Sequence, residues 1–309
     1  MESEVSELDK KAVTVQLVGG LGNQLFGYFA GRYVAERLGV NLNLDMSQFD
    51  KGITAHGSDI RAFTLNEKVV NLRQETRFPV LVWQNALNLT ANKVPATRTI
   101  VERVLGIHTA IPIGVDPRIH SVKPGMLMRG YYQSFRYVWQ VVQRPGFSNF
   151  ELKQPSPWFT QQVQAAQANP PIMVHVRRGD YAKPENAKFG MLSAEYYSQA
   201  LAKLRRELGD ATPVWVFSDE LEKVKLELGE ALKGDVSYIH PPEGTVAAES
   251  LMLMTKGAGN IISNSTFSWW SAILNSQSKV VAPTKWFKAM EDPEDLIPGS
   301  WLRQESVWK

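Results

Sequence analysis

Short apolar runs and longer amphipathic segments alternate regularly through the second half of the chain. The apolar runs cover residues 172–176, 214–217, 236–239, 260–263 and 279–282, and segments with helical spacing lie near 194–208, 221–232, 246–256 and 267–274. Short apolar runs that stop at turn residues predict buried strands, and strands that alternate with helices are typical of a parallel sheet. The pattern therefore predicts a doubly wound, Rossmann-like α/β domain.

The first half of the chain begins with the same pattern. Residues 13–18 are rich in β-branched side chains and predict a strand, which ends in the glycine-rich segment 19–24. Apolar side chains then recur at three- and four-residue spacing from Phe26 onward, which predicts a helix, and residues 41–45 predict a second strand. Residues 46–125 alternate polar loops with helical patches and give no clear order of elements. We therefore expect two Rossmann-like lobes.

Changes in composition indicate where these lobes begin and end. Residues 1–11 are acidic and polar and predict a flexible tail, and the proline-containing segment 154–157 is the best candidate for a linker. The sequence thus predicts an N-terminal lobe over residues 12–155 and a C-terminal lobe over residues 156–309.

Composition and charge limit the class of protein. With 44% apolar and 21% charged residues over 309 positions, the composition is that of a soluble globular protein. The net charge is only +3 and no basic block occurs, which argues against nucleic-acid binding. A pI near 8.9 is compatible with anionic small-molecule ligands or with loose contact at a membrane surface. No apolar run approaches a membrane span, and the acidic N-terminal segment lacks the chemistry of a secretory signal, so we expect a cytoplasmic enzyme.

The chain is poor in metal-ligating and nucleophilic residues. It has no cysteine and only five scattered histidines, and it contains no Asp-x-Asp pair. These absences exclude disulfides, thiolate nucleophiles and cysteine-based zinc sites, and they leave no group of residues with metal-ligand spacing. A serine hydrolase is also disfavoured, because no Gly-x-Ser-x-Gly motif is present. We expect no metal and no cofactor.

The first candidate site follows the strand predicted at 172–176. This strand carries His175 and runs into Arg177, Arg178 and Asp180. Open α/β sheets bind ligands at the carboxyl ends of their strands, and the planar guanidinium of arginine fits phosphate oxygens. Because strand side chains alternate between faces, we expect Arg177 to meet the ligand and Arg178 to hold the loop through a carboxylate. The alternative is an Arg–Asp pair that only fixes the loop.

Two further strand ends carry polar side chains. Asp219 follows the strand at 214–217, where its carboxylate could accept hydrogen bonds from the ring N–H and the exocyclic amine of guanine. The next polar segment predicts an anion site, because it combines hydroxyl and amide side chains with the free N–H groups of a helix N-terminus. Its members are Asn264, Ser265, Thr266 and Ser268. In both segments the alternative is simple capping of the following helix.

The glycine-rich segment 19–24 is the candidate site of the N-terminal lobe. Aligning its glycines with a dinucleotide fingerprint puts Leu25 where the third glycine should be, and no Gly-Lys-Ser/Thr follows. An NAD-dependent oxidoreductase and a Walker-type nucleotide site are therefore disfavoured. The side-chain amides of Asn23 and Gln24, beside Gly22, both donate and accept hydrogen bonds, which suits a hydroxyl-rich ligand such as a sugar. The alternative is that Asn23 caps the helix.

Taken together, these motifs resemble one known family. The segments are GGLGNQLF at 19–26, GYYQS at 130–134, HVRRGDY at 175–181, FSDE at 217–220, SNSTFSWWSA at 263–272, APTKWF at 282–287 and DLIPGSW at 295–301. They are similar in kind and order to motifs of the bacterial α-1,2-fucosyltransferases, glycosyltransferase family 11. The resemblance extends from about residue 13 to residue 301.

This resemblance implies a GT-B-like architecture and the inverting, metal-independent transfer of fucose. The donor would be GDP-fucose, and the acceptor would be the 2-hydroxyl of a galactoside on an oligosaccharide or glycolipid, in surface-glycan synthesis. It places Arg177 on the donor phosphate, His175 and Asp219 on the guanine, and residues 265–268 on the phosphates. It also implies a bacterial cytoplasmic enzyme that could sit peripherally at the inner membrane.

Several questions stay open at the level of sequence. Asp180 is the candidate base within the motif, and Glu185 and Glu195 follow it as alternatives. An α-1,6-fucosyltransferase or a protein O-fucosyltransferase is the nearest rival function. A sugar-binding relative without turnover is the rival from another class.

Overall fold

The computed structural model describes residues 11–49, 57–72, 102–111, 114–144, 147, 150–293 and 295–309. Residues 1–10 of the expected flexible tail therefore lie outside the described residues. The chain divides into two compact units, Met1–Phe150 and Glu151–Lys309. The sequence places the change of lobe five residues later, at 155 and 156.

The N-terminal unit is built on a parallel sheet. Its elements are β1 Val13–Gln16, α1 Leu21–Leu38, β2 Leu42–Asp45, β3 Lys68–Val70, β4 Ile107–Thr109, β5 Leu127–Arg129 and α2 Phe135–Val142. The strands lie in the order β3-β2-β1-β5-β4, and their pairings are parallel. The predicted strand and helix at the start of the chain are confirmed, whereas β3, β4 and β5 fall in or near the stretch that sequence patterns left unassigned.

Two glycines bring α1 close to the sheet. A Cβ at Gly31 would lie 2.9 Å from Leu42 Cδ1 and 3.0 Å from Val15 Cγ1, and one at Gly27 would lie 3.2 Å from Leu17 Cδ2. Because these glycines have no side chain, the helix backbone lies close to Val15 of β1 and to Leu17 just after it, both of which are fully buried. This close contact fixes the position of the helix start, and hence of residues 22–24.

The C-terminal unit has a larger sheet with helices on both faces. Its elements are α3 Pro157–Ala168, β6 Ile172–Val176, α4 Ala194–Leu208, β7 Val214–Ser218, α5 Leu221–Leu228, β8 Val236–Tyr238, α6 Ala247–Met254, β9 Gly259–Ile261, α7 Thr266–Ile273, β10 Lys279–Pro283 and β11 Leu302–Gln304. The strand order is β11-β10-β9-β6-β7-β8, again with parallel pairings. The predicted fold class, α/β with two Rossmann-like lobes of the GT-B-like type, is confirmed.

Alternate residues of β6 pack into different cores. Ile172, Val174 and Val176 lie in a cluster with side chains of α4 and α5, such as Tyr197 and Leu228. Met173 lies in a second cluster on the other face, with side chains of α3 and α6. The alternation assigns a face to each residue that follows the strand.

The order of strands in the C-terminal unit reverses at β6. The chain runs outward through β7 and β8 on one side, and then through β9, β10 and β11 on the other. The carboxyl ends of β6 and β9 are therefore adjacent at a topological switch point, which is where open α/β sheets leave a crevice for ligands.

The segment predicted as a linker runs directly into a helix. Ser156 caps α3: its Oγ accepts a hydrogen bond from Phe159 N at 3.1 Å, and Pro157 occupies the first turn. Glu249 of α6 accepts hydrogen bonds from both the amide and the hydroxyl of Ser156.

Among the described residues, no helix has both the length and the apolar character needed to cross a bilayer.

Candidate functional site

His175 lies at the carboxyl end of β6, on the sheet face that carries Met173. The side chain is buried, and its Nδ1 lies 2.8 Å from Ser263 Oγ, in the segment that follows β9. Its ring centroid is 5.5 Å from that of Phe267. Burial and the neighbouring Arg177 charge lower the pKa of His175 to about 3. The imidazole is therefore neutral at neutral pH, where it can hydrogen-bond a ligand but is a weak base.

Arg177 extends beyond the strand and is partly accessible to solvent. Its Nη1 lies 2.9 Å from Asp219 Oδ2, and its Nη2 pairs with Asp180 Oδ1. The guanidinium carbon is 5.5 Å from the centre of the Tyr181 ring. The exposed fraction of the Arg177 side chain is 26%. The cation is thus fixed between two carboxylates but remains within reach of a ligand.

Arg178 points the other way, into the core formed with α4 and α5. Its side chain is 1% exposed, and its Nε donates to Glu227 Oε2 of α5 at 2.9 Å. Its Nη1 donates to the Arg177 carbonyl oxygen at 3.0 Å. The structure agrees with the expectation for Arg178, which holds the loop through the carboxylate of Glu227, whereas the contact of Arg177 with a ligand stays a prediction.

Asp219 joins the end of β7 to the end of β6. Its Oδ1 accepts from the Arg178 amide at 2.9 Å, while Oδ2 pairs with Arg177. The contact is so close that a Cβ added at Gly179 would lie 2.4 Å from Oδ2. The cap position of α5 is Glu220. Asp219 therefore fixes the loop after β6 instead of capping the helix that follows it.

In the segment after β9, several polar side chains make hydrogen bonds to backbone groups of the protein. Asn264 Nδ2 donates to the carbonyl oxygens of Phe189 and Gly190 at 2.9 and 3.1 Å. Ser268 Oγ donates to Ser265 O at 3.2 Å. Ser265 is the cap residue of α7, but among the described residues it makes no cap hydrogen bond with its side chain. The segment therefore offers a ligand mainly the backbone N–H groups of the first turn, around Thr266.

A short loop connects Arg177 to the start of α7. Gly179–Ala182 form a 3₁₀ turn, and Tyr181 donates its hydroxyl hydrogen to the Asn264 carbonyl oxygen at 3.0 Å. Burial is the main cause that raises the pKa of Tyr181 to about 12. Tyr181 thus stays protonated and keeps this bond over the physiological range.

The three candidate bases occupy different surroundings. Asp180 contacts Arg177 and has a side chain that is 42% exposed. Glu185 is exposed in a 3₁₀ turn, and Glu195 is exposed on α4, where it accepts from Gln199 Nε2 at 2.9 Å. Among the three, Asp180 is the one in direct contact with the arginine at the switch point.

Gln24 and Asn23 play different parts in the N-terminal unit. Gln24 is fully buried: its Nε2 donates to Gly19 O and Gly57 O, each at 2.9 Å, and its Oε1 accepts from Ile60 N at 3.0 Å. It therefore ties loops together. Helix α1 begins at Leu21 with Gly20 as its cap residue, so Asn23 is not the cap.

Asn23 instead contacts a residue that follows the neighbouring strand β5. Its Oδ1 accepts from Gln133 Nε2 at 2.9 Å, and Gln133 follows β5, the strand beside β1. Gly22 lies buried in the first turn of the same helix. Of the predicted acceptor-side residues, Asn23 is the one with a partly accessible polar side chain at the carboxyl edge of the sheet.

Sequence patterns missed four residues of these sites. They are Gln133, Tyr181, Glu227 and Ser263. Ser263, Tyr181 and Gln133 lie inside the quoted motifs, so those motifs were an available signal for them. Glu227 could not have been found in this way, because its pairing with Arg178 depends on tertiary packing. Within the described residues, no three His, Asp or Glu side chains come together in a way that could hold a metal ion.

Part of the chain matches a known protein family, and two known proteins are similar to it in sequence. Residues 158–301 match the family described as Glycosyl transferase family 11. An alpha-1,2-colitosyltransferase from Escherichia coli is 28% identical over 302 residues, covering 95% of this chain and 99% of the relative. The O-antigen biosynthesis glycosyltransferase WbnK from Escherichia coli is 35% identical over 133 residues, or 42% of this chain and 43% of the relative.

Solved structures show the same fold. The fucosyltransferase NodZ from Bradyrhizobium superposes with a TM-score of 0.51 at 16% identity, covering 86% of this chain and 94% of that one. An alpha-1,6-fucosyltransferase NodZ structure soaked with GDP-fucose gives the same TM-score. At this identity the likeness is one of fold.

Proposed function

We propose that the chain is a glycosyltransferase of family 11, the family that most of its C-terminal unit matches, and that it transfers fucose from GDP-fucose to the 2-hydroxyl of a galactoside. The acceptor in this proposal is a galactose-terminated oligosaccharide or glycolipid used in surface-glycan synthesis. The reaction inverts the anomeric carbon and needs no metal or cofactor. The curated relative that acts as an alpha-1,2-colitosyltransferase supports an α-1,2 linkage.

The observation that carries this proposal is the position of Arg177. It is a partly accessible guanidinium at the carboxyl end of β6, beside the strand that leads into α7. A diphosphate there would meet a permanent cation and the N–H groups of a helix N-terminus. In the proposed complex, the phosphate oxygens replace a carboxylate at Arg177, while Asn264, Ser265 and Ser268 shape the turn that contains Thr266.

His175 and Asp219 are the proposed guanine contacts. The neutral imidazole can exchange a hydrogen bond with the base, and the carboxylate can accept from the guanine ring N–H and exocyclic amine. Because Asp219 Oδ2 already pairs with Arg177 at 2.9 Å, donor binding would exchange partners in this cluster. The phosphate would take Arg177, and the guanine would take Asp219.

The proposed chemistry is a direct displacement at the sugar. The acceptor oxygen forms a bond to the anomeric carbon while the bond from that carbon to the phosphate oxygen breaks. The electron pair of that bond leaves with GDP, and Arg177 offsets the charge that develops on it. The acceptor proton passes to Asp180, the carboxylate next to Arg177. Asn23, with Gly22 and the buried Gln24 supporting its loop, is proposed to hydrogen-bond the acceptor sugar.

A transfer assay with defined acceptors tests the proposal. Purified protein is incubated with GDP-fucose and lactose, with and without EDTA, and the product linkage is determined by NMR. We expect an α-1,2-fucosylated product that is insensitive to EDTA. Arg177→Ala should lower kcat/KM by about 100-fold or more with unchanged thermal stability. An α-1,6 product, EDTA sensitivity or near-normal turnover by Arg177→Ala would contradict the corresponding part of the proposal.

A second donor has a specific observation in its favour. The curated relative that aligns over nearly its whole length transfers colitose. Running GDP-fucose and GDP-colitose side by side under the same conditions decides between the two sugars. The higher kcat/KM identifies the donor, and the galactosides used as acceptors stay the same in both assays.

A further inference from the structure

Glu227 pairs with one buried cation and one exposed cation. Its Oε2 accepts from Nε of the buried Arg178 at 2.9 Å, and its Oε1 pairs with the Lys309 ammonium. Burial acts against the charged carboxylate, but the two cations outweigh it and hold the pKa of Glu227 below its usual value. The ion pairs therefore form a chain from an exposed lysine to a buried arginine.

Lys309 is held in place through its backbone. Its amide donates to Met191 O at 2.8 Å, and the Ser193 amide donates to Val307 O at 2.8 Å. Leu192 and Trp308 form an antiparallel bridge between these donors. Lys309 thus belongs to a segment fixed by backbone hydrogen bonds, and its ammonium pairs with Oε1 of Glu227.

The same segment supports the loop that Asn264 holds. A Cβ at Gly190 would lie 2.7 Å from the Trp308 ring, so the indole packs directly on the backbone there. Asn264, which precedes α7, donates a hydrogen bond to the carbonyl oxygen of the same glycine. Residues 307–309 therefore contact both the loop near α7 and, through Glu227, the loop after β6.

At the buried end of this series of ion pairs, Arg178 fixes the backbone from which Arg177 projects. Its amide bonds Asp219, and its guanidinium bonds the carbonyl oxygen of Arg177. A buried guanidinium that loses its carboxylate becomes strongly unfavourable and is expected to move toward water. Any such movement would displace Arg177 and Asp219 together.

We propose that Glu227 and Lys309 are positioning residues for the donor site, acting through Arg178. This proposal rests on the proposed function, because it assigns them to the site that would bind GDP-fucose. Neither residue is placed in contact with substrate. Their role is to keep Arg178, and with it the Arg177–Asp219 pair, in the geometry that accepts the nucleotide.

The decisive variants are Lys309→Met, Lys309→Arg and Glu227→Gln. We expect Lys309→Met to raise the Kd for GDP and the KM for GDP-fucose by about fivefold, the upper range for a surface ion pair, with the acceptor KM unchanged. Lys309→Arg should restore both values to within about twofold. Glu227→Gln should raise them by about tenfold or more, because Arg178 loses its charged partner while buried.

Lys279→Met is the matched control. Lys279 forms a surface pair with Glu207 at 3.7 Å, at the opposite end of β10 from the site. Removing that pair should leave GDP affinity unchanged. If Lys309→Met binds GDP like wild type, or if Lys279→Met loses affinity to the same extent, the positioning role is wrong.

Amide hydrogen exchange separates this proposal from the proposed function. In the protein without ligand, peptides covering residues 177–181 should exchange faster in Lys309→Met than in wild type or Lys279→Met. Equal exchange in all three would overturn the proposal, whatever the donor is. A wild-type protein that fails to use GDP-fucose, with the exchange difference present, would instead overturn the proposed function alone.

Discussion

Arg177 is one cation held between two carboxylates. Asp180 and Asp219 both pair with its guanidinium, so the local charge is negative before any ligand binds. A phosphate at this position would have to compete with these carboxylates for the same N–H donors. If the donor phosphate binds at Arg177 as proposed, the two aspartates therefore influence donor affinity in addition to any chemical role.

The variant Asp180→Asn separates these two effects. We expect GDP to bind about threefold more tightly, because one exposed competing charge is lost. We also expect kcat to fall on the order of 100-fold, since an amide cannot take the acceptor proton. Calorimetry with GDP and steady-state assays measure the two quantities. Asp210→Asn, at an exposed turn, is the control. Unchanged kcat would eliminate Asp180 as the base, and unchanged affinity would eliminate the competition.

The buried His175 makes stability depend on pH. Its pKa is about 3 in the folded protein, lowered by burial and by Arg177, whereas an unfolded histidine titrates near pH 6.5. Between these values the unfolded chain binds a proton that the folded chain does not. The stabilisation is thus complete above pH 6.5 and is lost as the pH falls toward 3, by about 1.4 kcal/mol per pH unit in the steep range.

The comparison of wild type with His175→Gln tests this dependence. The variant lacks the titrating group, so its free energy of unfolding should fall less steeply between pH 6.5 and pH 4.5. Urea denaturation at four pH values in this range gives the slopes, and we expect them to differ by close to one proton. Parallel curves for the two proteins would contradict a neutral, buried His175.

At the scale of elements, the site depends on how closely the ends of β6 and β7 approach. Strand pairing aligns His175 with Phe217 and Val176 with Ser218. Asp219 directly follows β7, and its carboxylate meets Gly179, three residues after the end of β6, at a distance that leaves no room for a Cβ on this glycine. The parallel register thus sets the distance at which the Asp219 carboxylate contacts the Arg177 and Arg178 segment.

Gly179→Ala should break this arrangement. The added methyl would lie 2.4 Å from Asp219 Oδ2, so the carboxylate or the loop must move. We expect a stability loss of ~1–3 kcal/mol and a weakening of GDP binding by about tenfold. Gly299→Ala is the matched control, because nothing lies within 4 Å of its Cβ position and its φ is not in the left-handed region. Equal effects of the two substitutions would contradict the packing argument.

How much of the fold was predictable differed between elements. The predicted strand at 172–176 coincides with β6, and the helix predicted near 194–208 coincides with α4, because both have strong periodicity and clear ends. Strand β11 was missed because it has three residues and two of them are exposed, so no apolar run marks it. Helix α3 was missed because its start, at Ser156 and Pro157, has the composition of a linker.

The candidate site followed the same rule. Polar residues directly after apolar runs were found, and alternation along β6 correctly separated Arg177 from Arg178. Residues that join the site through packing were not found: Glu227 lies 49 positions from Arg178 in sequence. For Gln24 the sequence pattern indicated a ligand contact, but the buried side chain makes its hydrogen bonds to backbone groups of the protein instead.

At the scale of the whole molecule, the two units repeat one plan. In each, the first strand lies inside a parallel sheet, later strands add on both sides, and the chain leaves that strand through a polar or glycine-rich loop. The proposed donor residues, from His175 to Ser268, all belong to the unit Glu151–Lys309. The proposed acceptor-side residues 22–24 belong to the unit Met1–Phe150.

This division predicts that nucleotide binding and transfer can be separated. The unit Glu151–Lys309 has its own six-stranded sheet and its own buried clusters on both faces. Produced alone, it should unfold cooperatively and bind GDP within about threefold of the affinity of the full chain, but it should not transfer fucose. Calorimetry, thermal denaturation and the lactose assay measure these three properties.

The same fragment with Arg177→Ala serves as the control, since it should fold equally well and lose GDP binding. If the fragment folds but does not bind GDP while the full chain does, then residues of the N-terminal unit contribute to the donor site. The assignment of all donor contacts to one unit would then be wrong. If the fragment binds GDP and the substitution abolishes binding, the unit Glu151–Lys309 contains the residues that recognise the nucleotide, and Arg177 is one of them.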